Sequence, residues 1–309
     1  MSEQPTTSNP SVIGIDVGGT KIKLGKFRQD GTCDASHSIN TPQPAYPKAV
    51  VDAMAKAIAQ IDPNSNSIAI GIGTPGPADA EGRIARYAIN LAEWNHVPLA
   101  DLLEAKTQLP VVVANDANCA GLGEAWLGAG HHLRHLIMLT LGTGVGGAII
   151  LDGQLFVGHQ GTAGELGLIT INLYGPDCKS GNQGSLEQHV CTAAIRRETG
   201  MEPETLSRLA AKGNSQAIAF WQHYGHMLGA GLANLIYVLA PEAVILGGGI
   251  GASAEFFLPS VEAEIQRRVV PPSRENLQIL IAKLGNDAGM VGAAKLAWQQ
   301  IANRPSDMR

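Results

Sequence analysis

Cysteines and long apolar runs are both scarce in this chain of 309 residues. The four cysteines, Cys33, Cys119, Cys178 and Cys191, show no CxxC spacing, which argues against a disulfide framework and against a ready-made zinc knuckle. No apolar run approaches the roughly 20 residues that cross a bilayer, and the polar N-terminus lacks the pattern of a signal peptide. We therefore expect a cytoplasmic protein that does not enter membranes.

Basic residues are too few to favour a phosphate polymer as a partner. Acidic residues outnumber Lys and Arg by 27 to 22, which gives a net charge of -5. Without a positive field, binding to nucleic acid is not expected. The proportions of hydrophobic residues, 45%, and charged residues, 16%, are ordinary for a globular protein. The length favours two domains, each able to bury its own core.

Strand and helix patterns alternate along the chain. The segment 67–74 alternates isoleucines with small residues as a strand does, and the short apolar run 111–114 predicts another strand. Apolar residues recur at helical spacing in the segments 46–61 and 216–239. This alternation is typical of an α/β fold.

Two glycine bends between apolar strands share one layout, which suggests a duplicated unit. The first lies in IGIDVGGTKIKLGKF (13–27) and the second in LIMLTLGTGVGGAIILDGQLF (136–156). Each bend taken alone is explained by a hairpin that needs glycine at positive φ. The hydroxyls of Thr20 and Thr143 favour a second interpretation, in which backbone N–H groups and hydroxyls line a polyphosphate. In that interpretation Asp16 holds the metal ion.

The second bend also matches GxGxxG, the fingerprint of a dinucleotide site, through Gly142, Gly144 and Gly147. That fingerprint requires a helix N-terminus directly behind the glycines, where the pyrophosphate binds. The following residues, GAIILDGQLF, instead continue as a strand with a turn. The sequence therefore argues against a dinucleotide site.

Seven motifs resemble, in order and spacing, those of the ROK family of sugar kinases. They are IDVGGTKIKLG, GIGTPGP, NDANCAGLGEAWLGAG, LTLGTGVGGAIILDGQLF, GTAGELG, PEAVILGGGI and GNDAGMVGAA. The resemblance spans about residues 12–300 and implies an actin-like ATPase (ribonuclease H-like) fold, with nucleotide and sugar in a cleft between two lobes. The implied lobes are 12–117 plus 295–309 and 118–294, after a disordered tail at 1–11. The two bends then resemble phosphate-binding hairpins, one in each lobe.

The resemblance also implies the residues of the site. The positions that match ATP-binding ones are Gly18, Gly19, Thr20, Lys21, Thr143, Gly144, Gly248 and Gly249. The positions that match sugar-binding ones are Gly76, Asn90, Asn115, Asp116, Glu165 and Glu187. Asp16 is the expected Mg²⁺ ligand. For Asn90, a role in capping its own loop is an equal alternative.

Asp116 follows a short buried strand and precedes a predicted helix. A carboxylate there feels the positive end of the helix, which favours its charged form, and a helix N-cap is a sufficient local explanation for it. The resemblance gives Asp116 a further role, that of the catalytic base. It would remove the proton from the sugar hydroxyl that attacks the γ-phosphate.

The chain departs from the family that it resembles at the zinc site. The family motif has a His after GELG and then a CxCGxxGC loop. Leu168 stands at the His position, and the loop CKSGNQGSLE keeps Cys178 but has Ser180 and Ser185 where thiolates belong. A structural zinc ion needs four N or S ligands. We therefore predict no zinc, and the loss of the His leaves the sugar preference open.

A capping box is our expectation for what replaces the metal. Ser185 and Gln188 match the pattern S-x-x-Q at the start of a helix predicted from Ser185. Glu187 would then lie in the first turn of that helix. The cap would hold this carboxylate in place without zinc.

The implied activity is ATP- and Mg²⁺-dependent phosphorylation of a hexose at its 6-hydroxyl, with glucokinase as the first expectation. The alternatives are a fructokinase, an N-acyl-hexosamine kinase, a polyphosphate-dependent glucokinase and, from another class, a sugar-responsive ROK regulator without kinase activity. A phosphate polymer would favour a basic groove. A regulator would carry a helix-turn-helix domain before the first strand, where we count about 11 residues. The resemblance also implies a homo-oligomer, with a dimer favoured.

Overall fold

The computed structural model describes residues 10–88 and 91–303, and these form the predicted α/β fold. The strands are β1 (Ser11–Val17), β2 (Lys21–Arg28), β3 (Cys33–Asn40), β4 (Ser67–Thr74), β5 (Ala85–Tyr87), β6 (Asn95–Val97), β7 (Val111–Asn115), β8 (Leu136–Leu141), β9 (Val145–Leu151), β10 (Gln154–Leu155), β11 (Ala243–Gly247) and β12 (Gln278–Ile281). The helices are α1 (Pro47–Ile61), α2 (Leu99–Thr107), α3 (Asp116–Leu127), α4 (Glu187–Val190), α5 (Thr192–Thr199), α6 (Pro203–Ala211), α7 (Ser215–Leu239), α8 (Ala254–Arg268), α9 (Pro271–Arg274) and α10 (Ala288–Ala302).

The described residues divide into two compact units. The first unit contains residues 10–127, Val157–Ala163 and 286–303. The second contains Gly128–Phe156 and Gly164–Gly285. The last helix, α10, therefore belongs to the unit that holds the N-terminal strands.

The sheet of the first unit has the strand order β3-β2-β1-β4-β7. Strands β3, β2 and β1 are antiparallel neighbours, whereas β4 and β7 run parallel to β1. Strand β1 begins inside the segment predicted as a tail, because Ser11 is buried and pairs with Arg28. Helix α10 packs so closely on β4 that a Cβ on Gly71 would lie 1.8 Å from the carbonyl oxygen of Ala293. Only glycine allows this approach.

The sheet of the second unit repeats that pattern in the order β10-β9-β8-β11-β12. Strands β10, β9 and β8 are antiparallel neighbours, and β11 and β12 run parallel to β8. The duplicated unit that the two bends suggest is therefore present in the strand topology. An aromatic cluster of Trp221, Tyr224 and Phe257 fills the core between α7 and α8.

The helix predicted from Ser185 is broken into two helices. Helix α4 ends at Val190, and Cys191 is extended with φ -90° and ψ 169°. The Cys191 sulfur accepts a hydrogen bond from the Ala194 N–H at 3.4 Å and so caps α5. The prediction of one helix was wrong because apolar periodicity does not register this local cap.

Two further findings concern the helices that could span a membrane and the state of the cysteines. None of the helices in the described part of the chain combines the length and the apolarity that a bilayer span needs. All four cysteines are free thiols, and only Cys33 is exposed.

Candidate active site

The bend between β1 and β2 turns its carbonyl groups toward the segment that follows β3. The Thr41 hydroxyl donates to the Gly18 carbonyl at 2.6 Å, and the Thr41 N–H donates to the Thr20 carbonyl at 2.9 Å. The Gln43 amide donates to the Gly19 carbonyl at 2.9 Å. In a trans peptide the C=O and the following N–H point in opposite directions, so the N–H groups of Gly19 and Thr20 face away from this segment. Successive amides aimed the same way suit an anion.

Two carboxylates of the first unit lie at one edge of its sheet. Asp16 lies near the carboxyl end of β1 and pairs with Gly73 of β4. Strand β7 ends at Asn115, opposite Thr74, and Asp116 follows it directly. Because β1, β4 and β7 are parallel, their carboxyl ends meet at the same edge, which is where α/β sheets place ligands.

Burial controls the electrostatics of both carboxylates. Burial, and after it the charge of Asp116, raise the pKa of Asp16 from 3.8 to about 6, although the charge of Lys23 opposes the shift. Burial also raises the pKa of Asp116, although hydrogen bonds from the Ala117 N–H, at 2.8 Å, and from Asn115 lower it. The predicted effect of the helix terminus is therefore present at Asp116, but burial outweighs it.

Asn115, rather than Asp116, caps helix α3. The Asn115 side-chain oxygen accepts hydrogen bonds from the N–H groups of Ala117, at 2.9 Å, and Asn118, at 3.1 Å. The Asn115 amide donates to the Gly76 carbonyl at 3.0 Å. Three residues predicted to bind sugar, Gly76, Asn115 and Asp116, are thus held together by one hydrogen-bonded turn. Asn90, the fourth in this part of the chain, lies outside the described residues.

Lys23 is a residue near the carboxylates that the sequence analysis missed. Its ammonium donates to the Asn286 carbonyl and lies 3.5 Å from the Asp287 carboxylate. The next turn of chain places Gly289 so close to Asp16 that a Cβ there would lie 3.0 Å from the carboxyl carbon. Lys21, which was predicted to bind ATP, is exposed at the start of β2. The alternation of Lys21 and Lys23 along β2 was the available signal, because it places both on one face of the strand.

The bend between β8 and β9 is a tight hairpin in the second unit. The Gly142 N–H donates to the Gly144 carbonyl at 3.0 Å, and strand β9 starts at once with Val145. Strand β9, and not the helix that the GxGxxG fingerprint requires, directly follows this bend.

The glycine loop after β11 lies beside this hairpin. Gly248 has φ 80°, and a Cβ on it would lie 2.3 Å from the carbonyl oxygen of Leu141, the last residue of β8. Gly249 then opens a short 3₁₀ turn that leads into α8. Four residues predicted to bind ATP, namely Thr143, Gly144, Gly248 and Gly249, therefore share the carboxyl edge of one sheet.

The two carboxylates predicted to bind the far side of the sugar are on segments packed against the start of β9. Glu187 is the first residue of α4, and its carboxylate accepts the Val145 N–H at 2.9 Å. Glu165 precedes a 3₁₀ turn that contains Gly167, and a Cβ on Gly167 would lie 2.2 Å from the Val145 carbonyl oxygen. Both predicted sugar ligands are thus anchored to the same strand.

Comparison with known proteins identifies the family of the chain. The model of the ROK family matches residues 12–300 of the chain. The chain belongs to the ROK family. This ROK protein is 35% identical to a glucokinase of Streptomyces coelicolor over 309 residues, which span 92% of this chain and 96% of the relative.

Solved structures resemble this ROK protein over nearly its whole length. A ROK family glucokinase from Streptomyces griseus, in complex with glucose and AMPPNP, matches with a TM-score of 0.76 and 35% identity, over 94% of this chain and 99% of that one. A ROK hexokinase from Thermus thermophilus matches with a TM-score of 0.87 and 32% identity, over 95% and 100%. The predicted actin-like ATPase fold is thereby confirmed.

The predicted capping box is absent from this ROK protein. The Gln188 N–H donates to the backbone carbonyl of Ser185 at 3.0 Å, and Leu186 rather than Ser185 precedes α4. Ser185 is fully buried, and its hydroxyl forms no hydrogen bond within the described residues. The capping prediction was wrong because the backbone carbonyl of Ser185, and not its hydroxyl, accepts the Gln188 N–H.

Serine hydroxyls surround the remaining thiol of the degenerate zinc motif. The Ser180 hydroxyl donates to the Cys178 sulfur at 3.1 Å. Burial raises the pKa of Cys178, but the neighbouring hydroxyls, first that of Ser180 and then that of Ser185, outweigh burial, so the pKa is lowered overall. No group of three or more His, Cys, Asp or Glu within residues 10–88 and 91–303 is arranged to hold a metal ion. The absence of zinc remains a prediction.

Asn182 joins the two segments that the family motif would link through zinc. Its amide donates to the Leu168 carbonyl at 2.8 Å, and its side-chain oxygen accepts from the Thr170 hydroxyl at 3.0 Å. Its backbone carbonyl accepts the Cys178 N–H at 2.8 Å. Asn182 was not predicted, because its side-chain partners lie 12 and 14 residues away, where no local pattern identifies them.

We expect Asn182→Ala to destabilise the protein by about 1–3 kcal/mol, because its partners lose their hydrogen bonds inside a folded loop. The measurement is urea unfolding followed by circular dichroism. The exposed neighbour Gln183→Ala is the matched control and should change the free energy of unfolding by less than about 0.5 kcal/mol. EDTA should leave the unfolding midpoint of the unmodified chain unchanged. A midpoint that falls with EDTA, or an Asn182→Ala variant as stable as the control, would contradict this account of the loop.

Proposed function

We propose that this ROK family member transfers the γ-phosphoryl group of ATP to the 6-hydroxyl of a hexose, with glucose as the preferred acceptor. The observation that carries the proposal is the position of Asp116. It is a largely buried carboxylate at the ligand-binding edge of a sheet, near Asp16, whose strand leads into a bend that presents backbone amides. Its glucokinase relatives support the hexose as substrate class.

Asp116 is the proposed general base. The raised pKa of Asp116 makes its ionised carboxylate a stronger proton acceptor than an exposed Asp. The sugar hydroxyl would lose its proton to this carboxylate as it attacks phosphorus. Asn115 and Gly76, which are tied to each other by a hydrogen bond, would hold neighbouring hydroxyls of the sugar.

The two bends are the proposed phosphate contacts. In the first unit the amides of Gly19 and Thr20 supply donors, with Gly18 and Lys21 beside them. In the second unit the contacts are Thr143 and Gly144, with Gly248 and Gly249 beside the adenosine. Glycines suit such loops because the backbone can approach a ligand closely.

Asp16 is the proposed Mg²⁺ ligand, and its surroundings fit that role. Mg²⁺ prefers carboxylate oxygens and needs only one or two of them when phosphates and waters complete its shell. Burial and the neighbouring Asp116 raise the pKa of Asp16 to about 6, and a bound cation would favour its charged form. The ion, when bound, would neutralise charge on the phosphates.

The remaining proposed sugar ligands are Glu165, Glu187 and Asn90. A carboxylate accepts hydrogen bonds on both oxygens, which suits it to a pair of sugar hydroxyls. Leu168, which replaces the family His, removes one polar contact of this kind from the chain.

The test is a coupled assay of nucleotide consumption across glucose, mannose, fructose, N-acetylglucosamine and N-acetylmannosamine, with ATP or polyphosphate as donor. We expect the highest kcat/KM with glucose and ATP. A different best acceptor would overturn the assignment of glucose but keep the kinase. Turnover with polyphosphate alone would overturn the assigned donor. Sugar binding without turnover of any acceptor would overturn the kinase and favour a regulator.

A further inference from the structure

The β8–β9 bend is held from behind by the segment that contains α4 and the start of α5. The Glu187 carboxylate accepts the Val145 N–H at 2.9 Å on one side of the bend. On the other side, the Gly142 carbonyl accepts the Thr192 N–H at 2.8 Å. The bend is therefore hydrogen-bonded at both of its ends to residues only a few positions apart in the chain.

The carboxylate also lies directly against the tip of the bend. A Cβ on Gly144 would lie 2.7 Å from the Glu187 carboxylate oxygen, closer than real Cβ atoms approach. Glu187 thus fills the space that a side chain at Gly144 would occupy. Two contacts therefore hold the backbone of the bend: the Glu187 carboxylate oxygen, and the hydrogen bond from the Gly142 N–H to the Gly144 carbonyl.

The segment that carries Glu187 is itself rigidly anchored. The Tyr224 hydroxyl, buried in the aromatic core, donates to the Val190 carbonyl at the end of α4 at 2.8 Å. The Cys191 N–H donates to the Glu187 carbonyl at 3.1 Å. The Glu187 carboxylate can therefore act as a fixed acceptor, because a side chain on an anchored segment loses little further conformational entropy when it accepts a hydrogen bond from the bend.

We infer that Glu187 is a positioning residue for the phosphate-binding bend, in addition to its proposed role toward the sugar. Through the Val145 N–H it holds residues 142–145 in the conformation that binds the nucleotide. The inference rests on the proposed function for the identity of the ligand. It goes beyond that function because it predicts that a sugar-side carboxylate controls nucleotide affinity when no sugar is present.

The experiment compares Glu187→Ala with Glu187→Gln, since Gln keeps the chain length and an acceptor oxygen but loses the charge. The first readout is the Kd of AMPPNP measured by calorimetry without sugar. We expect Glu187→Ala to bind AMPPNP about tenfold more weakly, because a hydrogen bond to a charged group is lost, and Glu187→Gln to stay within about twofold. Gln188→Ala, on the same helix, is the matched control and should bind as the unmodified chain does.

Hydrogen–deuterium exchange of the peptide that contains Val145 is the second readout, and it needs no ligand. We expect exchange at this amide to be at least tenfold faster in Glu187→Ala than in Glu187→Gln or the unmodified chain. Equal exchange in all three overturns the inference, as does an unchanged AMPPNP affinity in Glu187→Ala. An unmodified chain that binds no AMPPNP would instead refute the proposed function, and the exchange readout would still decide the role of Glu187.

Discussion

Asp116→Asn is expected to lower kcat by about 10²–10⁴-fold, the range typical of general-base catalysis. The amide keeps the shape and the hydrogen bond from the Ala117 N–H, but it cannot accept the proton of the sugar hydroxyl. The loss should fall on kcat, because the proton moves only during the chemical step. Steady-state rates with glucose and ATP, at pH 7.5, are the measurement.

Binding measurements separate this loss from a failure to bind. We expect the Kd values of glucose and AMPPNP in Asp116→Asn to stay within about threefold of the unmodified chain, since the remaining contacts persist. Asp287→Asn is a suitable control, because Asp287 is an exposed carboxylate of the same unit. A turnover in Asp116→Asn comparable with the control would remove Asp116 from the role of base.

Asp16→Asn is expected to lower kcat/KM by roughly 10²–10³-fold, because the proposed metal ligand supplies several kcal/mol of charge stabilisation in reactions of this kind. The loss should be accompanied by a weaker dependence on Mg²⁺ concentration. A titration of initial rate against Mg²⁺, at fixed ATP, measures both. An unchanged Mg²⁺ titration would exclude Asp16 as the ligand.

The same substitution is expected to make the metal-free protein more stable at neutral pH. Burial raises the pKa of Asp16 from an ordinary value of 3.8 to about 6, so the folded chain binds more protons than the unfolded chain between these values. The free energy of unfolding therefore falls as the pH rises through this window. Asn carries no charge, so the variant should be more stable by on the order of 2–3 kcal/mol at pH 7.5.

Urea unfolding without Mg²⁺ tests this sign, with the measurement at pH 3.5 as its own control. At pH 3.5 the unmodified side chain is protonated in the folded state, and the difference in stability should nearly vanish. A variant that is less stable than the unmodified chain at pH 7.5 would contradict the assigned burial of this carboxylate.

The two hairpins could be predicted from the sequence because their determinants are local. A glycine bend with a threonine between apolar strands leaves the chain few other conformations, and both bends are found where they were expected. The carboxyl edge of the first sheet was predictable for the same reason. Asp116 directly follows an apolar strand, and parallel strands bring such ends together.

The electrostatics of Asp116 could not be predicted from local sequence. The start of helix α3 can be predicted from the sequence. The burial of Asp116 depends instead on the packing of α3 against α10 and β4, which come from distant parts of the chain. Burial reversed the expected direction of the pKa shift. The N-cap of α3 is likewise Asn115, one residue before Asp116. Its side-chain oxygen accepts the Ala117 N–H, while its amide donates to the Gly76 carbonyl, which lies 39 residues away.

The contacts in the loop that replaces the zinc motif could not be predicted from local sequence either. S-x-x-Q at Ser185 was a valid local pattern, yet the buried Ser185 hydroxyl does not cap the helix. Asn182 made the decisive contacts with Leu168 and Thr170 across the loop. The alternation along β2 indicates the face on which Lys23 lies, but its partners Asn286 and Asp287 are 263 and 264 residues away, where no local pattern identifies them.

The most direct test of the proposed activity is a single-turnover experiment with excess enzyme, γ-labelled ATP and glucose, quenched and analysed for the position of the label. The account predicts that the unmodified chain transfers the label to the 6-oxygen of glucose, and that Asp116→Asn binds both substrates but leaves the label on ATP. Label released as inorganic phosphate by the unmodified chain, or equal transfer by Asp116→Asn, would contradict it.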